Sequence, residues 1–186
     1  MDQRGLIDRA RRGDHDAFAD LVDGRLARLD AAARLILRDG ELARDAVQEA
    51  MIRAWRDLPG LRDPDRFDAW LQRLLANACL DLVRSRKRRV IEVELSPIDA
   101  PSTVDIASDL ADRELLDQAL AGLAPSHRAV VALHYLLGMP LPEVAASLGI
   151  PPGTAKSRLH YSLAAMRIAV TTEPETAPAT VAGGLT

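Results

Sequence analysis

The sequence predicts an all-α protein: two small helical domains joined by a flexible acidic linker. Three observations carry this. Apolar residues recur every three or four positions in successive segments, in a composition rich in Ala, Leu and Arg with few β-branched runs. Charge is blocked rather than mixed: residues 1–89 carry a net +3, 90–124 a net −7, 125–170 a net +3 and the remaining tail −2. The stretch LPEVAASLGIPPGTAKSRLHYSLAAMR, 141–167, reads as two short helices joined by a sharp turn. The expected division is a first domain over 1–89, a linker over 90–108, a second domain over 109–170 and a disordered tail over 171–186.

Composition excludes several functions. Cys79 is the single cysteine, which rules out an intrachain disulfide framework and a multi-cysteine zinc site. It lies in a helical apolar pattern, where a buried inert thiol is the expectation. His15, His127, His134 and His160 have no ligand spacing, and no phosphate loop or nucleophile motif is present, so neither a metal nor another cofactor is expected. No stretch approaches about 18 continuous apolar residues. A soluble cytoplasmic protein without catalysis, not inserted in a membrane, is the expectation.

In the first domain, Leu6 to Arg12 forms a short helix closed by Gly13, and Asp14 is placed to cap the next. That helix carries Ala17, Phe18, Leu21, Val22, Leu26, Leu29, Ala33 and Ile36 at helical spacing. Arg38-Asp39-Gly40 breaks the chain before a third helix, from about Glu41 to Asp57. Its inward stripe is Ala43, Val47, Ala50, Met51, Ala54, Trp55 and Leu58. The opposite face collects Asp45, Gln48, Glu49, Arg53 and Arg56 around Ile52, the composition of a small protein contact. A solvated face with a stray apolar residue is the plainer reading.

The loop PGLRDP, 59–64, is too rich in breakers to be helical. From about Asp65 to Arg88 a fourth helix turns Phe67, Trp70, Leu71, Leu74, Leu75, Ala78, Leu82 and Val83 inward. Arg73, Asn77, Leu80 and Arg84 follow one flank at i, i+4, i+7 and i+11. The helix ends in RSRKRR, with Arg84, Arg86, Lys87, Arg88 and Arg89 as its cations. Beside an ordered Asn/Arg flank, such a run suits a phosphate clamp.

The acidic stretch after Val90, with Pro97 and Pro101, reads as a tether. Asp109 to Leu123 is helical, and Pro125 opens another helix that Gly138 closes. Val130, Val131, Leu133, Leu136 and Leu137 are expected beneath the hairpin formed by 143–148 and 154–167. Gly149 suits the turn because glycine reaches positive φ without a Cβ penalty. The inward stripe of the last helix leaves Ser157 and Tyr161 pointing away from the core, with Lys156 and His160 on one flank and Thr154 and Arg158 on the other. A small, polar and basic outer face is what a major groove admits.

These motifs resemble a known family. LGIPPGTAKSRLHYSLAAMR is similar to the end of region 4 of the sigma-70-family initiation factors of bacterial RNA polymerase, most of all the extracytoplasmic-function (ECF) group. Ala155 replaces the usual Val, and Tyr161 stands where a basic residue is common. RRGDHDAFADLV resembles the opening of region 2. DAVQEAMIRAW resembles region 2.2, which docks on the polymerase β′ clamp helices. FDAWLQRLLANACLDLVRSRKRR resembles regions 2.3 and 2.4, which hold the melted −10 element.

The resemblance implies a transcription-initiation factor that binds core RNA polymerase through the β′ clamp helices and the β flap, and reads promoter DNA. Asp45, Gln48, Glu49, Ile52, Arg53 and Arg56 would meet the polymerase. Leu61, Arg73, Asn77, Arg84, Arg86, Lys87, Arg88 and Arg89 would hold single-stranded −10 DNA. Asn77 would line a pocket for a flipped base, and Leu61 would occupy a loop position often held by an aromatic. Thr154, Lys156, Ser157, Arg158, His160 and Tyr161 would read the −35 element. An anti-sigma partner is a further implied possibility, as is a stress-responsive role. The competing reading is a helix-turn-helix repressor or activator with an effector domain in the first 89 residues, which would need a large apolar cavity there.

Overall fold

The computed structural model describes residues 2–92 and 118–171, with side chains placed through 88 and from 118 to 168. All regular structure in these segments is helical. The expected linker, apart from its helical start, and the tail beyond 171 lie outside the described residues.

Helices α1 (Gln3–Arg11), α2 (His15–Leu37), α3 (Gly40–Asp57) and α4 (Phe67–Glu92) form the first lobe. Their ends follow local chemistry. The Asp14 carboxylate accepts the Ala17 N–H at 3.0 Å, satisfying a donor that the first turn of α2 cannot use internally. Arg38, in the left-handed region at φ 54°, ends α2, and Asp39 caps α3 by accepting from Glu41 and Leu42, each at 3.1 Å. Alanines 43, 46, 50 and 54 form the buried stripe of α3, which lets α2 and α4 approach it closely. Val47, Met51 and Trp55, expected inward, are half-buried at the rim, where Trp55 stacks on His15 at 4.3 Å.

Between α3 and α4, two 3₁₀ turns, Leu58–Gly60 and Pro64–Arg66, replace the expected structureless loop. Helix α1 pins them. Gln3 donates to the Pro64 carbonyl at 3.0 Å, Arg4 pairs with Asp65, and Arg11 donates to the carbonyls of Leu58 and Leu61. Helix α4 also runs past the expected end at Arg88 to Glu92, so the backbone of 90–92 continues the helix.

The second lobe holds α5 (Pro125–Val131), a π-helical segment (Ala132–Leu136), α6 (Leu141–Leu148) and α7 (Pro152–Thr171). Of the helix expected over 109–123, the described part is 118–121. Gly149, at φ 63°, ends α6, where the Ile150 N–H reaches back to the Ala145 carbonyl at 3.0 Å. Pro152 then opens α7 at a position where its missing N–H costs nothing.

The two lobes share one apolar core. Leu29, Ile36, Leu71 and Leu75 belong to the same buried cluster as Val130, Leu133, Leu137, Met139 and Val144. Helix α2 packs on α5 and the π-segment, and α4 on α6. The apolar face expected only to support the hairpin therefore also covers the first lobe.

Candidate nucleic-acid interface

Helices α6 and α7 form the expected helix-turn-helix, and α7 presents its outer face to solvent. Lys156, Ser157, His160 and Tyr161 are exposed, while Thr154 and Arg158 are half-buried. Two contacts lie next to this face, one within α7 and one to α5. Ser162, fully buried, donates to the Arg158 carbonyl at 2.7 Å, and the His127 ring lies 5.1 Å from that of Tyr161. Burial, and then the nearby Arg158 charge, lower the His127 pKa below the ordinary histidine value.

In the first lobe, the flank of α4 is one continuous helical surface. Arg73, Arg84, Arg86, Lys87 and Arg88 are exposed, and Asn77 is half-buried among them. Arg84 pairs with Asp81 at 2.8 Å and Arg86 with Asp39 at 3.6 Å, so Arg73, Lys87 and Arg88 are the most accessible cations of this row. Arg89 has its side chain outside the described residues.

Leu61 departs from its expected role. Its side chain is 8% exposed and packed into the core, and its carbonyl accepts from Arg11, so only an edge of it reaches the cleft beside the loop. It anchors the loop instead. The loop presents Arg62, Asp63 and Arg66 more fully, and these, with Leu61, Trp70 and Arg73, line a cleft of about 610 Å³. These were legible in part: Arg66, Trp70, Arg73 and Asn77 fall at i, i+4, i+7 and i+11, extending the same flank toward the helix start.

The third candidate surface is on α3. Ile52 is 52% exposed, with Asp45, Gln48 and Arg56 also open to solvent. Arg53 bridges Glu49 at 2.6 Å and Asp81 of α4 at 3.2 Å, which fixes the polar rim around Ile52 and raises the Arg53 pKa. Cys79 is fully buried, and burial pushes its thiol up to about 12, so it takes no part in any of these surfaces.

Three surfaces thus coexist: a helix-turn-helix face, a basic α4 flank, and an apolar spot ringed by charge. Comparison with known proteins gives them a common context. Residues 21–89 match the Sigma-70 region 2 family and residues 113–166 the Sigma-70, region 4 family. The chain belongs to the ECF group of the sigma-70 family. It is 38% identical over 151 residues to the ECF RNA polymerase sigma factor SigL of Mycobacterium tuberculosis, covering 80% of this chain and 85% of that relative. Among solved structures, CnrH in complex with the cytosolic domain of CnrY superposes with a TM-score of 0.63 at 27% identity, over 90% of this chain and 96% of that one. The sigma factor RpoE of Bartonella quintana, bound to the anti-sigma factor NepR, shares the fold with a TM-score of 0.72 at 23% identity, over 84% and 98%. For this sigma factor, the boundary between the two family matches falls in the acidic stretch that separates the basic blocks. Among the described residues, no helix is long and apolar enough to cross a membrane, and no group of His, Cys, Asp and Glu could hold a metal ion.

Proposed function

We propose that this sigma factor directs promoter-specific initiation by dividing the promoter between its lobes, acting in the cytoplasm and leaving bond formation to the polymerase. The lobe over 109–170 reads the −35 element through Thr154, Lys156, Ser157, Arg158, His160 and Tyr161. The lobe over 1–89 holds the opened −10 strand along Arg73, Asn77, Arg84, Arg86, Lys87, Arg88 and Arg89, with Arg62, Arg66 and Trp70 at the near end. Core polymerase meets the first lobe at Ile52 and its rim of Asp45, Gln48, Glu49, Arg53 and Arg56, through the β′ clamp helices. The second lobe meets the β flap.

The observation that carries this reading is the pairing of a solvent-facing helix-turn-helix with a separate Arg/Asn helix flank in one chain. Paired DNA needs a helix that fits the major groove, whereas opened DNA needs a groove with cations, an aromatic platform and a donor/acceptor amide. Each lobe supplies one set. Tethering them raises the effective concentration of the second contact once the first is made. Of the two structural neighbours, one is bound to the cytosolic domain of CnrY and the other to the anti-sigma factor NepR, which supports control of this chain by an anti-sigma partner.

In vitro transcription with core polymerase over a genomic promoter library tests the reading. Promoter-dependent transcripts are expected, and Asn77→Ala should still bind core yet lose permanganate reactivity of the opened strand. DNA binding without any association with core would instead identify a helix-turn-helix repressor or activator.

A further inference from the structure

Tyr161 is the single Phe, Trp or Tyr of the helix-turn-helix, 141–171, and it stands on the solvent side of α7 with 59% of its surface exposed. Its neighbours one turn away on the same helix are Ser157, Arg158, Ala164 and Ala165. Three of these are too short to hold a ring from the side. The large contact comes from another element: the His127 ring of α5 lies 5.1 Å from the phenol ring, at an interplanar angle of 57°.

His127 acts there through its ring face. Its Nδ1 is shut away from solvent with no hydrogen-bond partner among the described residues. Leaving a buried polar atom unbonded costs energy, so hydrogen bonding by that atom is not what this position uses. Burial, and then Arg158, lower the ring's pKa, which leaves it uncharged at neutral pH. An uncharged ring beside Tyr161 is a wall. It restricts a side chain with two torsions before DNA arrives, and so lowers the cost of ordering it on binding.

The chemistry of an ordered phenol limits what it can recognise. A phenol, unlike an ammonium or a guanidinium, neutralises no phosphate and releases no counterion. In the major groove, thymine sets a methyl group beside a carbonyl acceptor. A tyrosine matches that pair with a ring edge and an O–H donor. Ser157 and Ala164, one turn to either side, are small enough to let a base edge reach the ring.

We propose that Tyr161 is a specificity-determining residue of the second lobe, selecting a T·A pair through the thymine methyl and O4, and that His127 is its positioning residue. The inference rests on the −35 role proposed above for α7 and adds the base that is read. Lys156 supplies affinity for the backbone instead.

Selection from a randomised duplex library by the full chain bound to core polymerase tests it. The unaltered protein should select thymine at one position of its upstream element. Tyr161→Ala should lose that preference and about tenfold in affinity for the selected duplex, with the slope of log affinity against log salt unchanged. Uracil in place of the selected thymine removes the methyl group alone. It should weaken binding by the unaltered protein and leave Tyr161→Ala unaffected. His127→Ala should relax the same preference, and His127→Phe, which keeps a ring, should retain it; a purely structural role would not single out one base pair. Selection of the same thymine by Tyr161→Ala overturns the readout, and so does a uracil effect equal in both proteins. An unchanged preference in His127→Ala, or a lost one in His127→Phe, overturns the positioning. If Lys156→Ala also leaves affinity and slope unaltered, the −35 reading of α7 fails with the proposal. A clear Lys156 effect confines the failure to Tyr161 and His127.

Discussion

Arg128 donates its Nε–H to the carbonyl of Ile36 at 2.8 Å and its Nη1–H to that of Leu123 at 2.5 Å, so one buried guanidinium joins a turn of the second lobe to a helix end of the first. Burial, and then the neighbouring Arg38, pull its pKa down to about 10, which still leaves it cationic at neutral pH. Its two acceptors lie 92 and 5 residues away in sequence.

Arg128→Ala leaves two buried carbonyls without a donor, at a cost of about 2–4 kcal/mol. The unaltered chain should unfold in urea in one cooperative step because its lobes share a core. The variant should unfold earlier and in two steps, followed by far-ultraviolet circular dichroism. A single transition at an unchanged midpoint would remove Arg128 from the interface.

Ile52→Asp places a charge in the middle of an exposed apolar spot without touching the core. Helicity should be retained and co-elution with core polymerase lost. Retained co-elution would exclude this face as the docking site.

Lys156 is exposed on α7, whereas Arg158 is half-buried beside His127. Lys156→Ala should lower the slope of log affinity against log salt for promoter DNA by about one, the signature of one lost phosphate contact. Arg158→Ala should change the slope less and the orientation of α7 more. Fluorescence anisotropy across a salt series separates the two effects, and an unchanged slope for Lys156→Ala would take it out of the interface.

Acid should weaken the start of α2. The Ala17 N–H, and then Arg9, hold the Asp14 pKa below its usual value. A depressed carboxylate pKa gives stability that is fully present above the unfolded value, near 3.9, and is lost as pH falls through the folded one. Asp14→Asn, which keeps a capping oxygen but no charge, should melt lower than the unaltered chain at neutral pH. The gap in Tm should close below about pH 3, and a gap independent of pH would mean the charge contributes nothing.

Helix starts and stops were readable wherever a local rule governs them. Asp14 caps α2, Arg38 to Gly40 separates α2 from α3, and Gly149 turns α6 into α7, because capping and positive φ depend on a few neighbouring residues. Periodicity also placed Lys156, Ser157, His160 and Tyr161 outward on α7 and Ile52 outward on α3. The family resemblance set Leu61 against the DNA strand, yet whether a loop leucine faces solvent or core depends on what crosses beneath it, here Arg11 of α1. Trp70 was assigned wholly to the core because an aromatic on an apolar stripe gives no sign of a second partner across a cleft.

The sequence by itself determined the helices, their caps, the blocked charge and the motifs that place the chain in its family. All of these depend on residues within a few turns of one another. Tertiary structure alone decided that α1 holds the 58–66 loop, that the two lobes share a core, and that Arg28, Gln72 and Arg128 cap helix ends across the lobe boundary. A carbonyl left open at a helix end attracts any donor that packing brings within reach, and no periodicity in the chain records which donor that is.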